Sequence, residues 1–555
     1  MRPRTPSEDE DTGWQSPARS ARAAAVPILF PVAALALLCG CAVGPDYERP
    51  AATAIPRAYA SDTGGWKVAH PQAQLPKGDW WEVFGDPQLN ALEVDASASN
   101  QQLKAAVQQF AEARAALDFA RGGLYPDLTL SGQYTRQSTS PNSPLSTTGL
   151  PLGQSSTYNN FAVPLDVSYE FDLWGRVRRS VESAQAQAQA SADDLEAVRL
   201  AVQAEVASDY FSLRTLDSEQ AVLRSSVDVF SKSYGLTVDR RAGGVATDLE
   251  VAQAETVLKV TQAQLPEVAL ARAQFEHALA LLSGRTASQF SIPASTSVAA
   301  PPTIPAGLPS ELLERRPDIS AAERRMAAAN ANIGVAKAAF FPSFQLNGLT
   351  GLDSANTGNL LSSSSGLWAL GPSLTLPVFE GGRLRAGLSF ATAAYIELVA
   401  SYRQTVLTAY SEVEDSLSAQ SLLSSQYEAE QDALLAARKQ LDLANIRYRD
   451  GLVTYLEVAT AESTELNIEF STVQIRGRQL VAAVNLVKAL GGAWQDRIQH
   501  QRKGASSSIR QLSREPLVRQ RWTTARSTNS KSAAAKSTKT LESETTKKQR
   551  NEDTR

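Results

Sequence analysis

The chain has 555 residues, a formal net charge of −4, and is 43% hydrophobic but only 7% aromatic. That balance suits long helices and coiled coils built in several layers or domains. The two cysteines, Cys39 and Cys41, sit together near the N-terminus, His70, His277 and His500 are scattered, and no P-loop, HExxH or GxSxG occurs, so no disulfide framework, catalytic residue, cofactor or metal site is predicted for the body.

Residues 1–40 read as a signal peptide. An apolar run, AAVPILFPVAALALL over 24–38, follows Arg19 and Arg22 and is too short to span a bilayer comfortably as a helix. Leu38-Cys39-Gly40-Cys41 resembles a lipoprotein box, which implies lipid attachment at Cys41. Ala42 in the next position implies sorting to the outer membrane. The segment ahead of the apolar run is long and acidic (Glu8, Asp9, Glu10, Asp11), unlike a short basic leader, so translation is expected to start downstream. Residues 41–87 are expected to form a lipid-anchored extended segment.

The body from 88 onwards is an internal duplication. LYPDLTLSG (124–132) recurs as FFPSFQLNG (340–348), WGRVR (174–178) as GGRLR (381–385), and Leu249-Glu250-Val251-Ala252 as Leu456-Glu457-Val458-Ala459. The first copy spans 88–284, the second 309–494, with a linker over 285–308. A Ser/Thr/Pro/Gly-rich stretch, about 138–160, lengthens one loop of the first copy, as loops tolerate cheaply.

Within copy one, 88–121 is predicted as one helix, 127–136 and 161–171 as strands, 176–242 as a proline-free helix about 100 Å long, and 247–284 as its return. In the second strand Phe161, Val163, Leu165, Val167, Tyr169 and Phe171 alternate with Ala162, Pro164, Asp166, Ser168 and Glu170, the period of a strand with one apolar face. Copy two repeats the order: a helix over 309–338 opened by Pro317, strands over 343–351 and 366–379, a long helix over 383–450 and its return over 454–490. Pro266 is expected to kink the first return helix. Two shorter helices stacked end to end match the length of one long helix. Residues 495–555 form a tail, in which 500–555 carry 14 Lys and Arg against 5 Asp and Glu, a composition that predicts disorder.

Four strands with an apolar face cannot sit in lipid with open edges, so closure needs more strands or more chains. The motifs Cys41-Ala-Val-Gly-Pro-Asp-Tyr, Asp79-Trp-Trp, LLERRPDI (312–319), AFFPS (339–343), LPVFEGGR (376–383), RYRDGLVTYLEV (447–458) and ALGGAW (489–494) together resemble the TolC-like outer-membrane factor family, in its NodT-type lipoprotein branch. The resemblance covers about 38–494. It implies an α+β membrane protein: a homotrimeric, twelve-stranded transmembrane β-barrel with four strands per chain, continued by an α-helical coiled-coil tunnel in the periplasm of a Gram-negative cell. It further implies docking to a periplasmic adaptor protein and an inner-membrane pump of the resistance-nodulation-division class, contact with outer-membrane lipid through N-terminal acylation, passive export of drugs and other small toxic compounds, no nucleic-acid partner and no ATP or metal site.

In such proteins the helix ends at the far tip close the entrance. The resemblance assigns Tyr448 and Arg449 to links between neighbouring helices that hold it shut, and Leu456 to the ring at the constriction. An acidic gate residue is common in the family where this chain has Thr460, and a frequent Arg is replaced by Ser463; Asp248 and Glu457 are the candidates to supply negative charge instead. Two other readings stay open: the same fold serving metal-ion efflux or type I secretion, and a purely structural coiled-coil lipoprotein, which predicts no membrane strands.

Overall fold

The computed structural model describes residues 42–51, 79–138, 140, 157–296, 300–302, 304 and 316–492. The predicted signal peptide, Cys41, residues 52–78, most of the 138–160 loop, the expected helix start over 309–315 and the basic tail lie outside these residues. The chain divides into units at Gln495, and everything described belongs to the first.

After a short 3-10 helix, Trp80–Phe84, come α1 (Pro87–Ser99), α2 (Gln101–Gly122), β1 (Asp127–Leu130), β2 (Gln133–Ser138), β3 (Thr157–Phe171), α3 (Arg176–Ala242) and α4 (Asp248–Leu282). The order then recurs as α5 (Pro317–Ala338), β4 (Ser343–Ser354), β5 (Gly366–Thr375), α6 (Arg383–Arg449) and α7 (Tyr455–Ala489). The two long helices both have 67 residues and the two return helices both have 35.

The helix expected over 88–121 is two helices. Asn100 leaves the helical conformation, accepts a bond from the Leu103 N–H and donates its Nδ2 to the Leu282 carbonyl 2.9 Å away. It thus caps α2 and satisfies an open carbonyl at the end of α4. Arg316 makes the equivalent junction in the second half, donating to the Ala489 carbonyl at the end of α7 from a position just before Pro317 opens α5. Each junction stacks a short helix on a return helix. The four columns lie in the order α2 above α4, then α3, then α5 above α7, then α6. α4 runs on through Pro266.

The sheet has the order β1/β2, β3, β4, β5, every pair antiparallel. β1 and β2 continue one register along β3 and are separated where they face Pro164, which has no N–H to give; the Ser131 N–H still reaches the Pro164 carbonyl at 3.0 Å. On the other side of Pro164 stands Gly351, where a Cβ would come within 2.4 Å of the Val163 carbonyl oxygen. β5 ends at Thr375, short of the expected 379, because Pro377 cannot extend the ladder.

The registers put Leu128, Leu130, Tyr134, Phe161, Val163, Leu165, Val167, Tyr169, Phe171, Phe344, Leu346, Leu352, Trp368, Leu370 and Leu374 on one face. The other face carries Asp127, Thr129, Gln133, Asp166, Ser168, Glu170, Gln345, Asn347, Asp353 and Ser373. Trp368 is 80% exposed although it is among the largest apolar side chains of the sheet.

The main core lies at mid-height of the helical layer. Trp80, Trp81, Phe84, Leu89 and Leu92 pack there on Tyr210, Phe211 and Leu213 of α3 and on Leu480 and Val484 of α7. A buried ion network pins the connection after α4 to the same place: Arg214 and Arg272 grip Asp217 at 2.8 and 2.6 Å and also reach the carbonyls of Pro293 and Ile292. Glu276, 2.9 Å from Arg272, supplies the second negative charge, so two arginines face two carboxylates and the burial is tolerable.

Candidate functional site

The far tip is built by two similar turns. Gly244 (φ 75°) and Gly451 (φ 76°) end α3 and α6 in the left-handed conformation, with Val245 and Leu452 donating back to the carbonyls of Arg240 and Arg447. Thr247 then caps α4 through a complete capping box with Glu250. Thr454 makes no such side-chain bond to α7. Glu250 serves there instead: one oxygen takes the Thr247 N–H at 2.7 Å, the other the Tyr455 N–H at 3.3 Å. One carboxylate therefore ties the two turns together, and these backbone donors hold it below the usual carboxylate range.

The predicted gate residues separate. Tyr448 is buried; its ring meets Tyr455 edge-on at 5.6 Å and lies under the Arg240 guanidinium at 4.5 Å. Its hydroxyl has no hydrogen-bond partner among the described residues. Arg449 is exposed, and its carbonyl receives Arg240 at 3.5 Å. Leu456 is 55% exposed and stands with Leu249 on a groove of about 560 Å³ between α4 and α7, lined also by Ala252, Ala459, Thr460 and Ser463. Thr460 and Ser463 turn their hydroxyls back to the carbonyls of Leu456 and Ala459.

Asp248 is the first residue of α4 and is not its cap. Arg241 binds it at 2.6 Å and lowers its pKa. Glu457 is likewise matched, by Arg447 at 3.2 Å. Both acids proposed to replace the missing gate carboxylate already have an arginine within this chain. Arg240 and Glu250 escaped the sequence reading, although the duplication offered the signal: they align with Arg447 and Glu457. The same alignment sets Arg241 and Asp248 over Tyr448 and Tyr455, so one slot across the turn holds an ion pair in the first half and an aromatic pair in the second.

Above the tip, Glu462 joins α7 to α3. It accepts from Ser233 at 2.6 Å and from Tyr455 at 2.8 Å. Burial pushes both Glu462 and the Tyr455 phenol up.

At the opposite end, Cys41 itself lies outside the described residues, but the chain just after it packs on the long helices. Val43 donates to the Trp174 carbonyl, Gly44 lies against Gly334, Asp46 binds Arg179 and Tyr47 bonds Glu323 at 2.7 Å. This strap crosses α3 and α5 from the level where β3 becomes α3. Trp174, at that level, stacks on Phe341 at 4.7 Å.

Among the described residues no group of three or more His, Cys, Asp or Glu could hold a metal ion, and no helix is long and apolar enough to cross a membrane. The two-faced sheet is what the tether reading did not predict.

The family described as outer membrane efflux protein matches residues 92–285 and 308–492. The probable efflux pump outer membrane protein TtgC of Pseudomonas putida is 33% identical over 468 residues, covering 82% of this chain and 94% of that protein. Outer membrane protein OprJ of Pseudomonas aeruginosa is 34% identical over 472 residues, covering 84% and 96%. The crystal structure of the Campylobacter jejuni CmeC outer membrane channel superimposes with a TM-score of 0.74 at 26% identity, covering 85% of this chain and 98% of that one.

Proposed function

The chain belongs to the outer membrane efflux protein family, and on that premise we propose that three copies close into one tube, a twelve-stranded barrel across the outer membrane continued by a helical tunnel into the periplasm. It is a channel component and not an enzyme. It serves as the passive exit duct of a tripartite pump of the resistance-nodulation-division class. A periplasmic adaptor protein and an inner-membrane transporter complete that pump, and drugs and other small toxic compounds leave through it.

The observation that carries this reading is the sheet. Its apolar face leaves large side chains uncovered, its polar face carries carboxylates and amides, and both of its edges are open among the described residues. From Phe161 to Phe171 the apolar face of β3 runs about 34 Å, or roughly 26 Å when tilted, the height of the apolar band of such barrels. The helical layer is open at its flanks too. Val107, Phe119, Val260 and Leu270 are exposed on the outer column of α2 and α4, and Leu407, Leu422, Leu435 and Leu443 on α6 at the other end. Apolar stripes of that kind mark surfaces that another chain covers.

The lipid anchor fits the same frame. The strap brings Ala42 against Gly175 at the strand–helix boundary, next to the Trp174–Phe341 stack. Aromatic side chains favour that depth of a membrane. Acyl chains on Cys41 would enter the inner leaflet there. At the tip, Tyr448, Arg449, Leu456 and Asp248 form the closed end, with Leu456 from each copy facing the axis and Arg240 and Glu250 bracing the turns.

Electron microscopy of the detergent-purified protein beginning at Cys41 tests the proposal. A hollow three-fold cylinder with a helical section roughly 100 Å long is expected. Elongated particles with no lumen and no three-fold symmetry would refute it and restore the tether.

A further inference from the structure

Within the helical layer, α3, α6 and α7 leave a crevice of about 690 Å³ between them, with Phe275 of α4 at its side. Its apolar walls are Leu216 and Phe275, Ala419 and Leu423 of α6, and Val481 and Ala482 of α7. Gly477 lets α3 and α7 close against each other behind it, since a Cβ there would collide with the Thr215 hydroxyl. The volume suits a small organic molecule, for which sites of about 300–1,000 Å³ are usual.

One charge lies inside the crevice. Glu219 of α3 lines it and is only 5% exposed. Gln474 of α7 donates a hydrogen bond to it, but among the described residues no Lys, Arg or His forms an ion pair with it. Asp217, one turn earlier at most, shows the contrast, since Arg214 and Arg272 both grip it. Burial pushes the Glu219 carboxyl up. Asp415 and Arg478 stand exposed at the rim and are opposite in sign, so the charge that decides within is that of Glu219. A carboxylate drawn out of water without a counter-charge is costly, and a cation entering the crevice supplies the missing partner. The Phe275 ring attracts the same sign of charge through its face.

We propose that this crevice binds an amphiphilic organic cation, with its apolar body on Leu216, Phe275, Leu423 and Val481 and its charge beside the Glu219 carboxylate. The site lies within one chain. Its place on the export route rests on the duct reading above: Gln474, Arg478 and Val481 lie about five turns along α7 from Leu456, Thr460 and Ser463, and so on the same face of that helix. A cation passing along that face meets the crevice after the tip. The duplication sets Gln426 in the second half where the first has Glu219, so an amide already occupies the corresponding position of the other long helix.

Tetraphenylphosphonium, a permanent cation with an apolar surface, is the probe, and tetraphenylborate matches its shape with the opposite charge. Equilibrium dialysis against the purified protein in lipid nanodiscs, with empty nanodiscs as the reference, is expected to show saturable binding of the cation at one site per chain. Glu219→Gln should weaken it by about ten-fold or more. Ala419→Trp, which fills the crevice from α6, should abolish it, and it carries the test if the first variant does not assemble. Tetraphenylborate should not compete. Affinity equal to the parent in both variants would overturn the site, as would equal competition by tetraphenylborate or the absence of saturable binding beyond the empty nanodiscs. The expected pattern in particles that sediment as monomers would uphold the site and overturn the three-copy reading instead.

Discussion

Glu93 offers the sharpest stability test. It lies in α1 among Leu89, Leu92 and Ala96, is fully buried, and neither carboxylate oxygen has a partner among the described residues. Burial alone pushes its pKa from 4.5 to about 9, so the group folds as the neutral acid. The unfolded chain releases this proton near pH 4.5, whereas the folded chain holds it to about pH 9. Between those values the folded state binds more protons, and stability falls as pH rises; below about pH 4.5 the penalty vanishes. At about 1.4 kcal/mol per unit, the penalty is roughly 3 kcal/mol at pH 7 and roughly 6 kcal/mol above pH 9.

Glu93→Leu removes that penalty and fills the site with an apolar side chain of similar size. The variant is expected to exceed the parent by roughly 3 kcal/mol or more per chain at pH 7, with a gap that widens by about 1.4 kcal/mol per pH unit from pH 5.5 to 8.5. Glu93→Gln should abolish the pH dependence while keeping an unpartnered amide. Denaturant unfolding followed by tryptophan fluorescence suits the measurement, since Trp80 and Trp81 belong to the same core. A gap that stays constant across that pH range would show that Glu93 is ionised or paired in the folded protein, and the argument from burial would fail.

At the tip, Tyr448→Phe combined with Arg449→Ala is expected to raise single-channel conductance in planar bilayers. Arg240→Ala should do so as well, because it removes a cation–π contact worth about 0.5–2 kcal/mol; unchanged conductance in both variants would refute the assigned role. Leu456→Ala should raise conductance if an apolar ring sets the constriction, and no change would place the constriction elsewhere. Glu250→Gln weakens the Thr247 cap and the contact to Tyr455, a loss of about 0.5–2 kcal/mol; hydrogen exchange should accelerate over 247–255 and 454–458, and protection equal to the parent in both turns would count against the shared-carboxylate link.

The long elements were legible because their signals are local. No proline stands between Gly175 and Gly243, and α3 occupies that interval; the alternation from Phe161 to Phe171 fixes the face of β3, and the ladders extend that face across the sheet. The break at Asn100 was missed: its local half, the cap on the Leu103 N–H, was open to a sequence reading, but the bond to the Leu282 carbonyl that ties it to α4 is far away in sequence. The tip was legible in position but not in chemistry. Sequence marks Asp248 and Glu457 as acids, and only the fold reveals that Arg241 and Arg447 have already claimed them.

The joint between sheet and helices shows why glycine recurs where it does. In the proposed assembly, twelve tilted strands at about 4.8 Å spacing would give a barrel of roughly 11 Å radius, whereas twelve helical columns spaced about 9–10 Å apart would need roughly 18 Å. In that assembly each chain would step outward as strands become helices. On the two descending passes the step falls on residues in the left-handed region, Gly175 (φ 79°) before α3 and Gly382 (φ 90°) before α6, while Gly123 and Ala339 on the ascending passes keep ordinary helical angles. The two glycines differ in surroundings. A Cβ at Gly382 meets nothing within 4 Å, so Gly382→Ala should cost only the backbone strain of about 1–2 kcal/mol. A Cβ at Gly175 would come within 2.9 Å of Ala42. Gly175→Ala should cost that strain and also dislodge the strap, which hydrogen exchange at Val43 to Tyr47 would reveal and which Gly382→Ala should leave protected. Equal protection of the strap in both variants would refute the close approach of Ala42, and unchanged stability in both would refute the left-handed step.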